Sequence, residues 1–165
     1  MLDITVAVDA TAGSPFTPED DAAGSYDLLW HGPSQLYGCP VGDGYMPDSL
    51  TELGGPANVL LLMEEPAHPD RSVWARPVAL LHAVRDGQPY DEVLCVPAGD
   101  PRFAALTGPE ALRLWHADEG ALATVLRRFR PGHTWQITGC EGCREAEEFL
   151  AEAHHSYERL TGSLE

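Results

Sequence analysis

The sequence contains no lysine: its ten basic residues are all arginine, against 26 acidic ones, for a formal net charge of −16. Without a lysine amine there is no Schiff-base chemistry and no lysine clamp on a phosphate. The acidic field repels phosphate backbones and anionic lipid, which argues against nucleic acid and membrane surfaces as partners. Solubility is the simpler meaning of that acidity. Long apolar runs are missing too, and none approaches the roughly 18 residues that mark a membrane span. The first residues, MLDITVAVD, carry acidic groups and no basic n-region, so they do not read as a signal peptide. A cytoplasmic protein is expected. Cysteine is sparse, and Cys39, Cys95, Cys140 and Cys143 are not spaced like a secreted disulfide framework. The absence of lysine also fits a GC-rich coding sequence, and a bacterial source is expected.

What is present suits one domain. A chain of 165 residues with 44% hydrophobic content is long and apolar enough to bury a core, and neither a linker nor an internal repeat divides it. A single domain over 1–165 is expected. Residues 3–8, DITVAV, alternate and predict a strand. Residues 10–24 are rich in Gly, Pro, Ser, Thr and Asp and predict a loop or distorted hairpin. YDLLWH, 26–31, is a strand candidate. The stretch 32–50, with its glycines and prolines, reads as mostly irregular. NVLLLMEE, 58–65, predicts a buried strand. VWARPVALLHAVR, 73–85, predicts a long strand bent near Pro77. DGQP is a turn, and YDEVLCVP, 90–97, is a strand with Cys95 as a small core residue.

The period then changes. EGALATVLRRFR, 119–130, predicts a helix stopped by Pro131-Gly132. HTWQI is a short strand. CREAEEFLAEAHHSYERL, 143–160, puts Phe149, Leu150, Ala153, Tyr157 and Leu160 on one helical face. Strands first and helices last suggest a small barrel or curled sheet with helices against one side.

The run ARPVALLHAVRDGQPYDEVLCVPAGDPRF, 75–103, resembles the family I (soluble) inorganic pyrophosphatases, and GYMPDSLTELGGPANVLLLMEEPAHPDRSVWARPV, 44–78, matches the same family without a gap. The resemblance implies an α+β fold: a five-stranded OB-like β-barrel with two main C-terminal helices. It also implies divalent-metal hydrolysis of pyrophosphate and a homo-oligomer. The family signature D-G-D-P-x-D, whose carboxylates hold Mg²⁺, falls on Leu53-Gly54-Gly55-Pro56-Ala57-Asn58. Two further metal-binding aspartates and a phosphate-binding lysine fall on Arg85, Tyr90 and Glu92. Two tyrosines fall on Cys39 and Asp43, an early phosphate-binding arginine falls near His31, and a helix lysine falls near Arg127.

An arginine standing where a metal ligand stood repels Mg²⁺. The sequence therefore leads to the expectation of a pyrophosphatase fold without a metal or other cofactor, an enzyme that is not a standard pyrophosphatase. It would carry a metal-independent acid–base reaction on a small organic substrate, in bacterial specialised metabolism. Asp43 and Glu92 are the expected acid and base, with Tyr90 and Cys39 as further catalytic candidates. His31, Asn58, Arg85 and Arg127 are the expected substrate-binding residues. The bland alternative is an Arg85–Glu92 ion pair that closes the pocket. A non-catalytic scaffold and a residual pyrophosphatase, using spare carboxylates among Asp43, Asp48, Asp86 and Asp91, are the competing readings. Cys140-x-x-Cys143 at a helix start suggests a lowered thiol pKa, though an isolated CxxC more often packs than reacts.

Overall fold

The alternation of β3, Ala57–Leu62, sorts its side chains into two cores. Val59 and Leu61 join one cluster with Val93, Cys95, Ala146, Leu150 and Ala153. Leu60 and Leu62 join the other, with Leu94, Val96, Leu122, Val125 and Leu126. A strand buried on both faces needs cover on both sides, and here each face has its own helix. Full burial of a side chain such as Leu60 contributes roughly 1.5–3 kcal/mol.

The computed structural model describes residues 3–12, 41–62, 71–108, 110, 119–129 and 132–162. The strands are β1 (Ile4–Ala12), β2 (Val41–Met46), β3, β4 (Arg71–Arg85), β5 (Gln88–Pro89), β6 (Glu92–Pro97) and β7 (Trp135–Glu141). The helices are α1 (Glu119–Phe129) and α2 (Cys143–Gly162). β2 pairs β1 and β3 antiparallel, and β3 pairs β6 in parallel. β6 pairs β4, and β4 pairs back to β1, closing a ring of five strands. The closure is that of an irregular OB-like ring rather than a regular barrel, and with α1 and α2 it makes the expected α+β fold.

One strand closes the ring because it is long enough to have three sets of partners. The 15 residues of β4 pair β1 at their start, β6 in the middle, and β7 and β5 at the end. The register with β6 shifts between Pro77 and Ala79, where the sequence predicts a bend. Proline cannot donate to the ladder, so the irregularity falls there. Asp86 and Gly87 both have positive φ, as a tight two-residue hairpin turn requires.

Two expectations need correction. β2 lies inside the stretch read as irregular. Its Gly44 is not a loop signal but a packing requirement: a Cβ there would stand 2.1 Å from the Ala7 carbonyl oxygen across the β1–β2 pairing. The apolar face of α2 ends early. Ala146, Leu150 and Ala153 are buried, whereas Leu160 is 58% exposed because the last turns no longer cover the sheet. The strand candidate at 26–31 lies outside the described residues.

Candidate functional site

The turn between β2 and β3 is closed by its own backbone hydrogen bonds. Thr51 N–H donates to the Gly55 carbonyl at 2.8 Å, and Gly54 N–H donates to the Thr51 carbonyl at 3.0 Å. Gly54 sits at φ 88°, a conformation that costs glycine little. Behind the turn, the buried Ser49 hydroxyl accepts from Ala57 N–H at 2.9 Å and donates to the Met46 carbonyl at 2.5 Å. Met46 and Ala57 are the last pair of the β2–β3 ladder. The Ser49 hydroxyl thus anchors the loop to the sheet.

A cavity of about 570 Å³ opens beside this turn, between it, the β5–β6 connection and α2. Leu50, Leu53 and Phe149 supply apolar wall, and Asn58, Asp91 and Glu152 supply polar wall. Its volume suits a small molecule. Asp91 is fixed from behind. Its Oδ1 lies 3.2 Å from His82 Nδ1, and the Nε2 of the same ring bonds Glu141. The Glu141 bond, with help from Asp91, holds the His82 pKa above its usual value despite partial burial.

The predicted site residues distribute as follows. Asn58 pairs in register with Glu92 across the parallel β3–β6 ladder, and Asp43 pairs with Leu60. Alternation then puts Asp43, Asn58 and Glu92 on one sheet face, the face of the core that holds Tyr90. Asp43, Tyr90 and Glu92 are buried there and do not line the cavity, whereas Asn58 does. The Arg85 guanidinium lies over the Tyr90 ring, 4.3 Å from its centroid, and 5.9 Å from that of Trp135. Tyr90 and Trp135 meet edge to face at 5.3 Å. Arg85 is thus stacked on an aromatic pair at the end of β4, where Gln88 is its ladder partner. Arg127 is exposed on α1. His31 and Cys39 lie outside the described residues.

The lowered thiol pKa that the helix start suggests for Cys143 is not what the structure gives. The Cys143 thiol is pushed up to about 11, by burial first and then by its bond to Glu147, at 3.1 Å. The acidic neighbour and the burial outweigh the helix dipole. Cys95 is fully buried, which raises its pKa further, as suits an inert core thiol.

Sequence reading missed His82, Asp91 and Glu141 as a group. Asp91 follows His82 by nine positions and Glu141 lies on another strand, so no local motif marks them. The β4–β7 register, Leu80 with Glu141 and His82 with Gly139, is what brings Glu141 near.

An irregular five-strand ring flanked by two helices, with a cavity at the β2–β3 turn, defines a small α+β domain of the pyrophosphatase fold. Residues 34–158 match the inorganic pyrophosphatase family. The chain belongs to that family. It is 34% identical over 91 residues to the inorganic pyrophosphatase of Synechocystis, a match covering 55% of this chain and 53% of that protein. It thus spans about half the length of that relative. The Aeropyrum pernix inorganic pyrophosphatase is 30% identical over 126 residues, covering 72% of this chain and 69% of its own. The inorganic pyrophosphatase from Thermus thermophilus superposes with a TM-score of 0.66 at 22% identity, over 94% of this chain and 91% of that one.

These matches overturn the expectation of an enzyme that has left pyrophosphate for a metal-independent reaction on an organic molecule. The relatives are inorganic pyrophosphatases, and nothing in them points to specialised metabolism. The family is one of enzymes, and among the described residues no helix is long and apolar enough to cross a membrane. The divalent cations that the resemblance implies do not fit the residues at the matching turn. Leu53 is 56% exposed there, and Asn58 offers a neutral amide. Among the described residues, no three His, Cys, Asp or Glu side chains are grouped to hold a metal ion.

Proposed function

We propose that this chain hydrolyses inorganic pyrophosphate or a close phosphoanhydride, at the cavity beside the β2–β3 turn. The observation that carries the reading is the family match over 34–158, which includes that turn and every lining residue of the cavity except Arg159. The cavity is of ligand size, and Asn58 offers an amide donor to a phosphate oxygen. Its acidic wall and the net charge of −16 oppose a bare pyrophosphate tetra-anion. The substrate that this field admits is pyrophosphate already neutralised by its own divalent cation. Asp43, Tyr90 and Glu92, buried on the sheet face that carries Asn58, and Arg85, stacked on Tyr90, belong to this reading as its polar support. A small-molecule substrate and a homo-oligomer accord with it.

The test is phosphate release from pyrophosphate by the full chain, with Mg²⁺ or Mn²⁺ and with a chelator as control. Cation-dependent turnover on the order of 1 s⁻¹ or more is expected. Release no faster than in protein-free buffer, with either cation, defeats the proposal.

A further inference from the structure

We infer that Asp91 is the general base of this hydrolysis and that His82, held by Glu141, is the residue that positions it. The inference rests on the proposed pyrophosphate reaction and deepens it. Three elements meet here. Asp91 lies in the connection before β6 and lines the cavity with Asn58. His82 stands on β4 with Nδ1 3.2 Å from Asp91 Oδ1. Glu141 ends β7 and bonds the other ring nitrogen. The two carboxylates are the charged groups that face the imidazole.

The chemistry follows from counting protons. A neutral imidazole has one N–H and can donate to one carboxylate only. Two carboxylates, one at each nitrogen, select the doubly protonated ring. That ring has a fixed plane, because both of its donors are engaged. Asp91, which lines the cavity, is then held through one of its two oxygens, and the other is the one assigned to the water. A base on a connection between strands would otherwise sample several rotamers, and reaction needs one. Both residues are only partly exposed, 35% for the His82 side chain and 29% for that of Asp91, so water competes weakly for the contact.

The step balances without a co-reactant. Water in the cavity gives a proton to the free oxygen of Asp91 as its own oxygen bonds to one phosphorus. The bridging P–O bond breaks, and its electron pair leaves with the other phosphate. Asp91 then returns the proton to that phosphate or to bulk water.

The experiment measures kcat and KM for pyrophosphate with Mg²⁺ in the wild-type full chain and in Asp91→Asn, Asp91→Ser, His82→Phe and His82→Gln. Binding of imidodiphosphate, a non-hydrolysable analogue, is followed by calorimetry. Both Asp91 variants are expected to lose about a hundredfold or more in kcat, with KM and analogue binding little changed. His82→Phe is expected to lose about tenfold or more in kcat. His82→Gln, which keeps an N–H donor, is expected to recover most of that loss. An active wild type with both Asp91 variants equally active overturns this inference and leaves the proposed function standing. So does a loss that follows unfolding in both Asp91 variants, or a His82→Gln no better than His82→Phe. A wild type without turnover defeats the proposed function and this inference together.

Discussion

Replacing Ser49 by alanine tests whether a single hydroxyl holds the signature-matching turn on the sheet. Ser49 is 6% exposed. Its Oγ is the acceptor for Ala57 N–H at 2.9 Å and the donor to the Met46 carbonyl at 2.5 Å. Alanine leaves the Ala57 N–H buried with no acceptor, which costs about 1–3 kcal/mol. The lost bond to Met46 adds about 1 kcal/mol. Together these come to about 2–4 kcal/mol. For a domain of this size each kcal/mol lowers Tm by about 2–4 °C, so a drop of roughly 4–16 °C is expected. Thr51→Ala is the internal control. Thr51 Oγ1 donates to the Gly55 carbonyl at 3.1 Å, but the Thr51 N–H reaches the same carbonyl at 2.8 Å, and the site is only half-buried. That carbonyl keeps a partner, so the loss stays below about 1 kcal/mol. Thermal melts of the three proteins, followed by circular dichroism, decide the matter. A Ser49→Ala protein melting within about 2 °C of wild type, or one matched by Thr51→Ala, refutes the reasoning.

Two other outcomes follow from the same structure. The Asp86 carboxyl is held down to about 2 by the Thr134 N–H first and by His133 beside it. Its folded pKa lies below the unfolded one, so its stabilisation is present above the ordinary carboxylate range and lost as pH falls towards 2. Melts between pH 2 and 6 should show a weaker acid dependence in Asp86→Asn, whose asparagine also tolerates the positive φ at that turn; an unchanged dependence counts against it. Gly44→Ala would drive a Cβ to 2.1 Å from the Ala7 carbonyl oxygen, a backbone atom that no rotamer change moves aside. The β1–β2 pairing must open, with a loss of about 1–3 kcal/mol or more in urea unfolding; a neutral result would mean that the two strands are not so closely paired.

Much of the fold was legible because its signal is local. The apolar runs of β3 and β6 and the alternation of β1 announce strands, and the 3.6-residue period announces α1 and most of α2. Pro77 marked the irregularity in β4 because its ring removes the N–H and fixes φ, and Asp86-Gly87 marked its turn because these residues tolerate positive φ. β2 escaped because Gly44 is required by a neighbouring strand, and composition alone cannot distinguish such a glycine from one in a loop. The expected acid and base, Asp43 and Glu92, were placed by family register, which says nothing of accessibility; both lie buried rather than at the cavity wall. The helix start at Cys143 is visible in the sequence, whereas the burial of its thiol and the Pro77 carbonyl beside it are not.

The sequence alone determined the net charge, the lack of any lysine, the identity of the turn residues 53–58 and most of the strands and helices, β2 excepted. These are properties of composition and near neighbours. Only the tertiary structure decided which carboxylates reach the cavity and which of them meets His82. Asp91, His82 and Glu141 come from three separate segments, and they meet because the closed ring sets β4 beside both β6 and β7. Contacts between residues distant in the chain depend on pairing register, and register is settled when the two faces of the sheet find their cores.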